Sequence, residues 1–296
     1  MNTAELAQKV RYIEITTRKA VTATFAGEYR SAFKGQGMDF DEVREYTIGD
    51  DIRAIDWNVT ARTGVPHTKR FREERELTVM LLVDLSASGS FGSTRSKNET
   101  AAEICALLAF SAIKNNDRVG MLIFTDRLEL YIPPRKGSTH VLRLIREVLV
   151  FQPPGGARTG IRFALESFAR MFKRRAVVFL VSDFLDEGYE SILKVAGRRH
   201  DLVAVWLSDP RERELPAVGL VELEDAETGG RLLVDTGSPQ ARLAAGKIWE
   251  RRSAALQGLC AGAGIDLIGI EAGTDYVTPL SRFFLAREKR RYARTG

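Results

Sequence analysis

The chain has 296 residues, and its hydrophobic share of 44% is typical of a globular protein with a substantial core. Its 44 basic and 39 acidic residues give a net charge of +5 at pH 7, too small an excess to favour a nucleic-acid-binding protein over an ordinary solvated surface. No stretch approaches the ~18 consecutive apolar residues of a membrane helix, and the N-terminus lacks the apolar centre of a signal peptide. We therefore expect a cytoplasmic protein without membrane insertion.

The first 20 residues carry apolar side chains at helical spacing and predict a helix that packs on the main domain. Residues 21–76 differ, because glycines recur between short alternating stretches, and this pattern predicts a smaller β-rich subdomain. Acidic and basic residues alternate densely over residues 39–62, which favours a salt-bridged scaffold over a catalytic site. We expect Trp57 to anchor this subdomain to the main sheet.

From residue 77 onward, apolar strand-like runs alternate with helix-like segments. The predicted strands cover residues 79–83, 117–125, 176–181, 202–207 and 265–270, with a short antiparallel strand at 128–132 and a hairpin that pairs 220–223 with 231–234. The predicted helices cover residues 98–114, 138–150, 160–172, 189–195, 239–260 and the tail from 276. This alternation predicts an α/β fold with a doubly wound, mostly parallel sheet flanked by helices.

The chain divides into three predicted parts. Residues 1–76 form the N-terminal helix and the β-rich subdomain, residues 77–272 form the α/β domain, and residues 273–296 form a basic helical tail. The basic run at residues 287–291 is most simply a solvated face. Cys105 and Cys260 lie far apart in apolar helical contexts, so we expect buried thiols rather than a disulfide or a zinc site.

Oxygen-bearing side chains follow the predicted strands at the points where those strands end. The central apolar strand ends in Asp84, Ser86 and Ser88, Asp183 follows a second strand, and Thr159 lies in a glycine-containing loop before a helix. Because the carboxyl ends of parallel strands meet at one edge of a sheet, we expect these five side chains to converge. Carboxylates and hydroxyls are hard ligands that suit Mg²⁺, with Mn²⁺ or Ca²⁺ as alternatives. A purely structural hydrogen-bond cluster is the competing interpretation.

These residues carry the first of two resemblances to known families. The sequence Asp84-Leu85-Ser86-Ala87-Ser88, with Thr159 and Asp183, resembles the metal-ion-dependent adhesion site of von Willebrand factor A domains over about residues 77–272. That resemblance implies direct metal contacts from Ser86, Ser88 and Thr159, with Asp84 and Asp183 acting directly or through water.

A longer pattern upstream resembles the bacterial domain-of-unknown-function 58 family, whose members are commonly encoded beside MoxR-type AAA+ ATPases. The residues that carry this resemblance are Gly35-Gln36-Gly37-Met38-Asp39-Phe40, Val43-Arg44-Glu45-Tyr46, Gly49-Asp50-Asp51-Ile52-Arg53-Ala54-Ile55-Asp56-Trp57 and Ala61-Arg62. The resemblance implies a MoxR-type AAA+ ATPase as partner, with a client protein in chaperone-like maturation of protein complexes and association with membrane proteins as further expectations.

These patterns favour a non-catalytic protein-binding module in which a divalent metal engages an acidic residue of the partner. A Mg²⁺-dependent phosphate-ester hydrolase is one alternative, but Ser86 stands where phosphatases of the haloacid dehalogenase type need a second aspartate. A basic nucleic-acid-binding protein is the other alternative. The chain has only three histidines, no Gly-x-Ser-x-Gly motif and no phosphate-binding P-loop motif, so we do not expect an enzyme.

Overall fold

The structure is a computed structural model that describes residues 3–21, 23–33, 38–73, 76–93 and 95–295. In these ranges the strands are β1 (Met38–Glu45), β2 (His67–Glu73), β3 (Thr78–Asp84), β4 (Arg118–Phe124), β5 (Leu128–Arg135), β6 (Val177–Ser182), β7 (Asp201–Ser208), β8 (Leu220–Glu224), β9 (Arg231–Asp235) and β10 (Asp266–Glu271). The helices are α1 (Thr3–Ala20), α2 (Ala23–Phe33), α3 (Trp57–Thr63), α4 (Lys97–Lys114), α5 (Ser138–Val150), α6 (Ile161–Met171), α7 (Glu190–Arg199), α8 (Pro210–Arg213), α9 (Pro239–Ala263) and α10 (Val277–Thr295).

The main sheet has the strand order β10-β7-β6-β3-β4-β5. Strands β10, β7, β6, β3 and β4 run parallel, and β5 pairs antiparallel with β4 at one edge. Strand β3 lies inside the sheet and its apolar run is fully buried, because successive side chains enter opposite cores. Val79 and Leu81 face one core, whereas Met80 and Leu82 face the other. The predicted doubly wound α/β fold is confirmed.

Helices cover both faces of the sheet. One face packs against α1, α2, α4, α5 and α10, whose apolar residues join a single core with the odd-numbered residues of β3. The other face packs against α6, α7 and α9. The division of the chain at residues 76 and 272 stays a prediction, but helices from both flanking parts contribute side chains to the core of the central part.

The β-rich prediction for residues 21–76 is correct only in part. Strands β1 and β2 form an antiparallel hairpin that encloses the short helix α3. Residues 23–33, however, form the helix α2, and Phe25, Tyr29 and Phe33 bury their rings in the core at helical spacing. The periodicity of these aromatics, four residues apart, outweighs the glycine between them. Residues 35–37, where the upstream motif begins, lie outside the described residues.

The predicted anchoring role of Trp57 is wrong. Its side chain is 70% exposed at the start of α3, where Asp56 caps the helix by accepting bonds from the backbone N–H groups of Asn58 and Val59. Because α3 is short and lies away from the sheet interior, its aromatic residue does not reach the core. The charged segment does contain ion pairs, such as that of Arg44 with Asp50 at 2.7 Å.

Lys289 and Arg290 of the basic run are exposed as expected, but one residue of the run differs from a solvated face. Arg287 of α10 is largely buried and forms ion pairs with Asp201 and Asp266, at the starts of β7 and β10. Its guanidinium group lies 4.6 Å from the centre of the Phe33 ring. The two cysteines are buried free thiols, as predicted. Within the part of the chain that the structure describes, every helix is too short or too polar to cross a bilayer.

Candidate metal centre

The loop after β3 is shaped by its own polar residues. Oδ1 of Asp84 accepts a hydrogen bond of 3.0 Å from the backbone N–H of Ser86, which turns the chain sharply at the end of the strand. Oδ2 of Asp84 accepts a bond of 2.6 Å from the hydroxyl of Ser182, the last residue of the neighbouring strand β6. Asp84 therefore joins two adjacent strand ends at the middle of the sheet edge.

Three hydroxyl groups of the loops near Asp84 are linked by hydrogen bonds. Oγ of Ser86 is 3.0 Å from Oγ of Ser88 and 2.9 Å from Oγ1 of Thr159. Ser86 and Thr159 are buried, and Ser88 is partly exposed. Ser86 and Thr159 are 73 positions apart in the sequence, and the fold brings their oxygens into contact.

The loop that carries Thr159 is held against the loop after β3. The backbone N–H of Ala87 donates a 3.0 Å bond to the carbonyl oxygen of Ala157. Gly160 passes so close to Asp126 that a Cβ atom there would lie 2.9 Å from the Asp126 Cα, so only glycine fits. Close backbone approach, rather than the spacing of the preceding glycines, fixes the position of Thr159.

Asp183 forms a buried ion pair with Lys97. Its Oδ2 lies 2.6 Å from Nζ of Lys97, and its Oδ1 accepts a bond of 3.2 Å from the backbone N–H of Leu185. Nζ of Lys97 also lies 2.8 Å from Oε1 of Glu212. Burial alone would lower the pKa of Lys97, but the two carboxylates more than offset it and raise that pKa above the usual value.

Electrostatics at the site favour an added cation. Burial, and in second place the negative charge of Asp183, raise the pKa of Asp84 to about 7. A divalent ion nearby would stabilise the charged form of this buried carboxylate more than that of a solvent-exposed carboxylate. Lys97 balances part of the negative charge through its bond to Asp183. In the described part of the chain, the hydrogen bonds to Asp84 come from Ser86 and Ser182 and not from Lys97.

The donor set fits a hard divalent cation. Hydrogen bonds of 3.0 and 2.9 Å join the Ser86 hydroxyl to those of Ser88 and Thr159. Neighbouring ligands of an octahedral Mg²⁺ also lie ~3.0 Å apart, so a cation could replace these hydrogen bonds without large movement of the oxygens. Within the described ranges, no three His, Cys, Asp or Glu side chains cluster as a metal site. The candidate centre therefore depends on hydroxyl oxygens, which are donors for Mg²⁺ rather than for zinc.

The structure thus brings the Ser86 hydroxyl into contact with those of Ser88 and Thr159, and Asp84 bonds to the backbone of Ser86. Asp183 lies at the same edge, with its carboxylate held by Lys97. Sequence reasoning missed Lys97, whose only local feature is its place in the first turn of α4 after the cap Ser96.

Glu227 was missed as well. It lies in the turn between β8 and β9, and its Oε1 accepts bonds of 2.8 Å and 3.2 Å from the hydroxyl and the backbone N–H of Thr159. Burial raises the pKa of Glu227 and the charge of Asp183 adds to the rise, while the bond from Thr159 opposes it. Nothing local to the hairpin sequence signals this contact across 68 residues.

Comparison with known proteins identifies relatives across most of the chain. It is 31% identical over 290 residues to the uncharacterized protein Rv1480 of Mycobacterium tuberculosis, a match that covers 96% of this chain and 90% of the relative. The uncharacterized protein YeaD of Bacillus subtilis is 25% identical over 182 residues, which cover 62% of this chain and 43% of that protein.

Among solved structures, the conserved hypothetical protein BatB from Bacteroides thetaiotaomicron matches with a TM-score of 0.44 and 17% identity, covering 72% of this chain and 99% of that one. The SpRpn10 VWA domain matches with a TM-score of 0.35 and 12% identity, covering 69% and 93%. The family model described as "Protein of unknown function DUF58" matches residues 42–254. The chain belongs to the DUF58 family.

Proposed function

We propose that this protein is a non-catalytic binding module in which a divalent metal, Mg²⁺ in the first place, engages an acidic residue of a protein partner. The observation that carries the proposal is the contact of the Ser86 hydroxyl with the hydroxyls of Ser88 and Thr159, through hydrogen bonds of 3.0 and 2.9 Å, which gathers three hard oxygen donors at one point. Asp84 and Asp183 supply the negative charge. Mg²⁺ keeps positions open to water or to a partner, so a carboxylate from outside can complete its coordination.

Binding suits this arrangement better than catalysis. Both carboxylate oxygens of Asp84 accept hydrogen bonds, from Ser86 and Ser182, so the group is held as a ligand rather than presented as a nucleophile. His140 bonds to the carbonyl oxygen of Val119, near the start of β4. Val119 pairs with Val79, so it lies at the other end of the sheet from Asp84. His140 is therefore not placed for proton transfer at Asp84.

The partner that the family resemblance supports is a MoxR-type AAA+ ATPase, with this chain as its adaptor in chaperone-like maturation of protein complexes in the cytoplasm. A second contact surface is available in the segment that carries the family motif. Ile48, Ile52 and Trp57 expose their apolar side chains near the turn of the β1–β2 hairpin. We propose that these side chains form part of the contact surface for the partner, since contiguous exposed apolar patches mark interaction sites.

Capture of a purified MoxR-type AAA+ ATPase by the immobilised protein tests the proposal. We expect capture in Mg²⁺, loss of capture in EDTA, and loss with Ser86→Ala. Ser90→Ala is the matched control, because Ser90 is an exposed serine of the same turn. Equal capture by the wild type with and without Mg²⁺ would remove the metal from the mechanism.

Trp57→Ala probes the second surface in the same assay. We expect it to weaken capture while leaving Mg²⁺ binding and the melting temperature near the wild-type values, because the side chain is mostly exposed. Hydrolysis of p-nitrophenyl phosphate that requires Mg²⁺ and is lost in Asp84→Asn would instead establish the hydrolase alternative.

A further inference from the structure

The hairpin of β8 and β9 lies between α8 and α9 in the chain. Its strands pair with each other, and neither packs extensively on another helix or strand in the described ranges. Leu220, Leu232 and Leu233 expose most of their side chains, so the hairpin contributes little to the core. An element of this kind can move relative to the sheet at small cost in buried apolar surface.

The turn of the hairpin is nevertheless well ordered by its own bonds. Asp225 accepts bonds from the backbone N–H of Glu227 at 2.9 Å and from the hydroxyl of Thr228 at 2.6 Å. The backbone N–H of Asp225 donates to the carbonyl oxygen of Gly230 at 2.8 Å. This turn holds the Glu227 backbone close to the loop of Gly156.

The side chain of Glu227 extends from that turn to Thr159 at the candidate metal centre. Its Oε1 lies 2.8 Å from Oγ1 of Thr159, which is 2.9 Å from Oγ of Ser86. Two oxygens joined by a hydrogen bond of 2.8 Å can become neighbouring ligands of one octahedral ion, so the Glu227 carboxylate is within reach of a coordination position next to Thr159. The other hairpin glutamates, Glu222 and Glu224, lie on its exposed side and pair with Arg231.

We propose that Glu227 is the acid that fills the open coordination position of the metal centre in the isolated chain, so that a partner's carboxylate binds by displacing it. This inference rests on the proposed function and adds a ligand and a means of regulation to it. A tethered carboxylate acts at an effective concentration of about millimolar or more. Weak external acids are then excluded, and only a partner that makes further contacts replaces the hairpin.

Water-proton relaxation by bound Mn²⁺ tests the assignment, because it reports how many waters the ion retains. We expect the Mn²⁺ complex of Glu227→Ala to retain a further coordinated water, and its Mn²⁺ affinity to fall several-fold because a carboxylate ligand is lost. We also expect acetate to displace that water in Glu227→Ala at concentrations about tenfold below those needed in the wild type. Glu224→Ala is the matched control and should behave as the wild type.

Two results would overturn the inference in distinguishable ways. If the wild type binds Mn²⁺ and Glu227→Ala shows unchanged relaxation and acetate response, Glu227 only orients the Thr159 hydroxyl and the binding proposal itself survives. If the wild type binds no Mn²⁺, the proposed metal centre fails and this inference fails with it. A thermal melt of each variant checks that the hairpin substitutions leave the fold intact.

Discussion

Nζ of Lys97 lies 2.6 Å from Oδ2 of Asp183, and both side chains are almost completely buried. The same ammonium group binds Glu212, in the short helix that follows β7. A charge buried without a partner is costly, so this lysine acts as a built-in counter-ion for an acid at the candidate metal centre. The charge of Asp183 is therefore balanced within the chain itself.

Replacing Lys97 should therefore reveal the charge that it balances. We expect Lys97→Met to lower the free energy of unfolding without metal by about 3–5 kcal/mol, the usual cost of breaking a buried ion pair. Mg²⁺ should then raise the melting temperature of the variant by more than it raises that of the wild type, because Asp183 and Glu212 have lost their cation. The measurement is thermal unfolding with Mg²⁺ and with EDTA.

Lys9→Met is the control for that experiment. Lys9 of α1 pairs with Glu99, which lies on α4 like Lys97. Both side chains of this pair are about one-third exposed. Its loss should cost no more than about 1 kcal/mol and leave the Mg²⁺ response unchanged. An equal Mg²⁺ shift in wild type and Lys97→Met would show that Lys97 does not share the metal's electrostatic environment.

A second buried acid predicts how stability depends on pH. Burial raises the pKa of Asp117 to about 6, although bonds from the backbone N–H of Leu77 and the hydroxyl of Tyr29 act in the opposite direction. Between the ordinary aspartate pKa of about 3.9 and pH 6, the folded chain keeps a proton that the unfolded chain has released. The contribution of Asp117 to stability is therefore full at low pH and is lost as the pH rises through about 6.

Asp117→Asn removes this titration while keeping an oxygen acceptor for Leu77. We expect the difference in unfolding free energy, variant minus wild type, to grow by about 1–3 kcal/mol in favour of the variant between pH 4 and pH 7.5. Urea denaturation at several pH values measures it, with Glu187→Gln at an exposed acid as the control. A difference that stays constant over this range would contradict the assignment.

Arg287 should behave as a structural residue rather than as part of a binding surface. Its side chain is only 12% exposed and holds Asp201 and Asp266 together while it covers the Phe33 ring. We expect Arg287→Ala to cost about 3–5 kcal/mol of stability. Arg290→Ala, at a mostly exposed arginine paired with Asp266, should cost about 1 kcal/mol or less in the same denaturant series. Equal costs would show that burial does not distinguish the two.

The parts of the fold that sequence could predict are those with a local signal. The apolar run of β3 and the polar residues that follow it placed a central strand and its loop, and the strand positions of β6 and β7 followed in the same way. The meeting of Asp84 with the end of β6 followed from a general rule about parallel strand ends, whereas Thr159, which lies between two helices, was placed at the site by the resemblance.

What the sequence could not show depends on contacts between distant segments. Lys97 meets Asp183 across 86 positions, and Glu227 meets Thr159 across 68, without any feature of their own neighbourhoods that indicates a partner. Trp57 was misjudged for a related reason, since an aromatic residue is buried only if its helix faces the core. The glycines of residues 21–76 predict turns, whereas the aromatic residues Phe25, Tyr29 and Phe33, spaced four apart, form the buried face of helix α2.

Calorimetric titration of Mg²⁺ into the wild type, Asp84→Asn and Ser90→Ala tests the central claim most directly. Binding of a single ion by the wild type and Ser90→Ala is expected, with an affinity in Asp84→Asn at least ~100-fold weaker, beyond the 10–100-fold cost of losing a ligand's hydrogen-bond partner. An absence of binding heat in the wild type at several temperatures, or equal affinity in Asp84→Asn, would contradict a metal centre at this edge of the sheet.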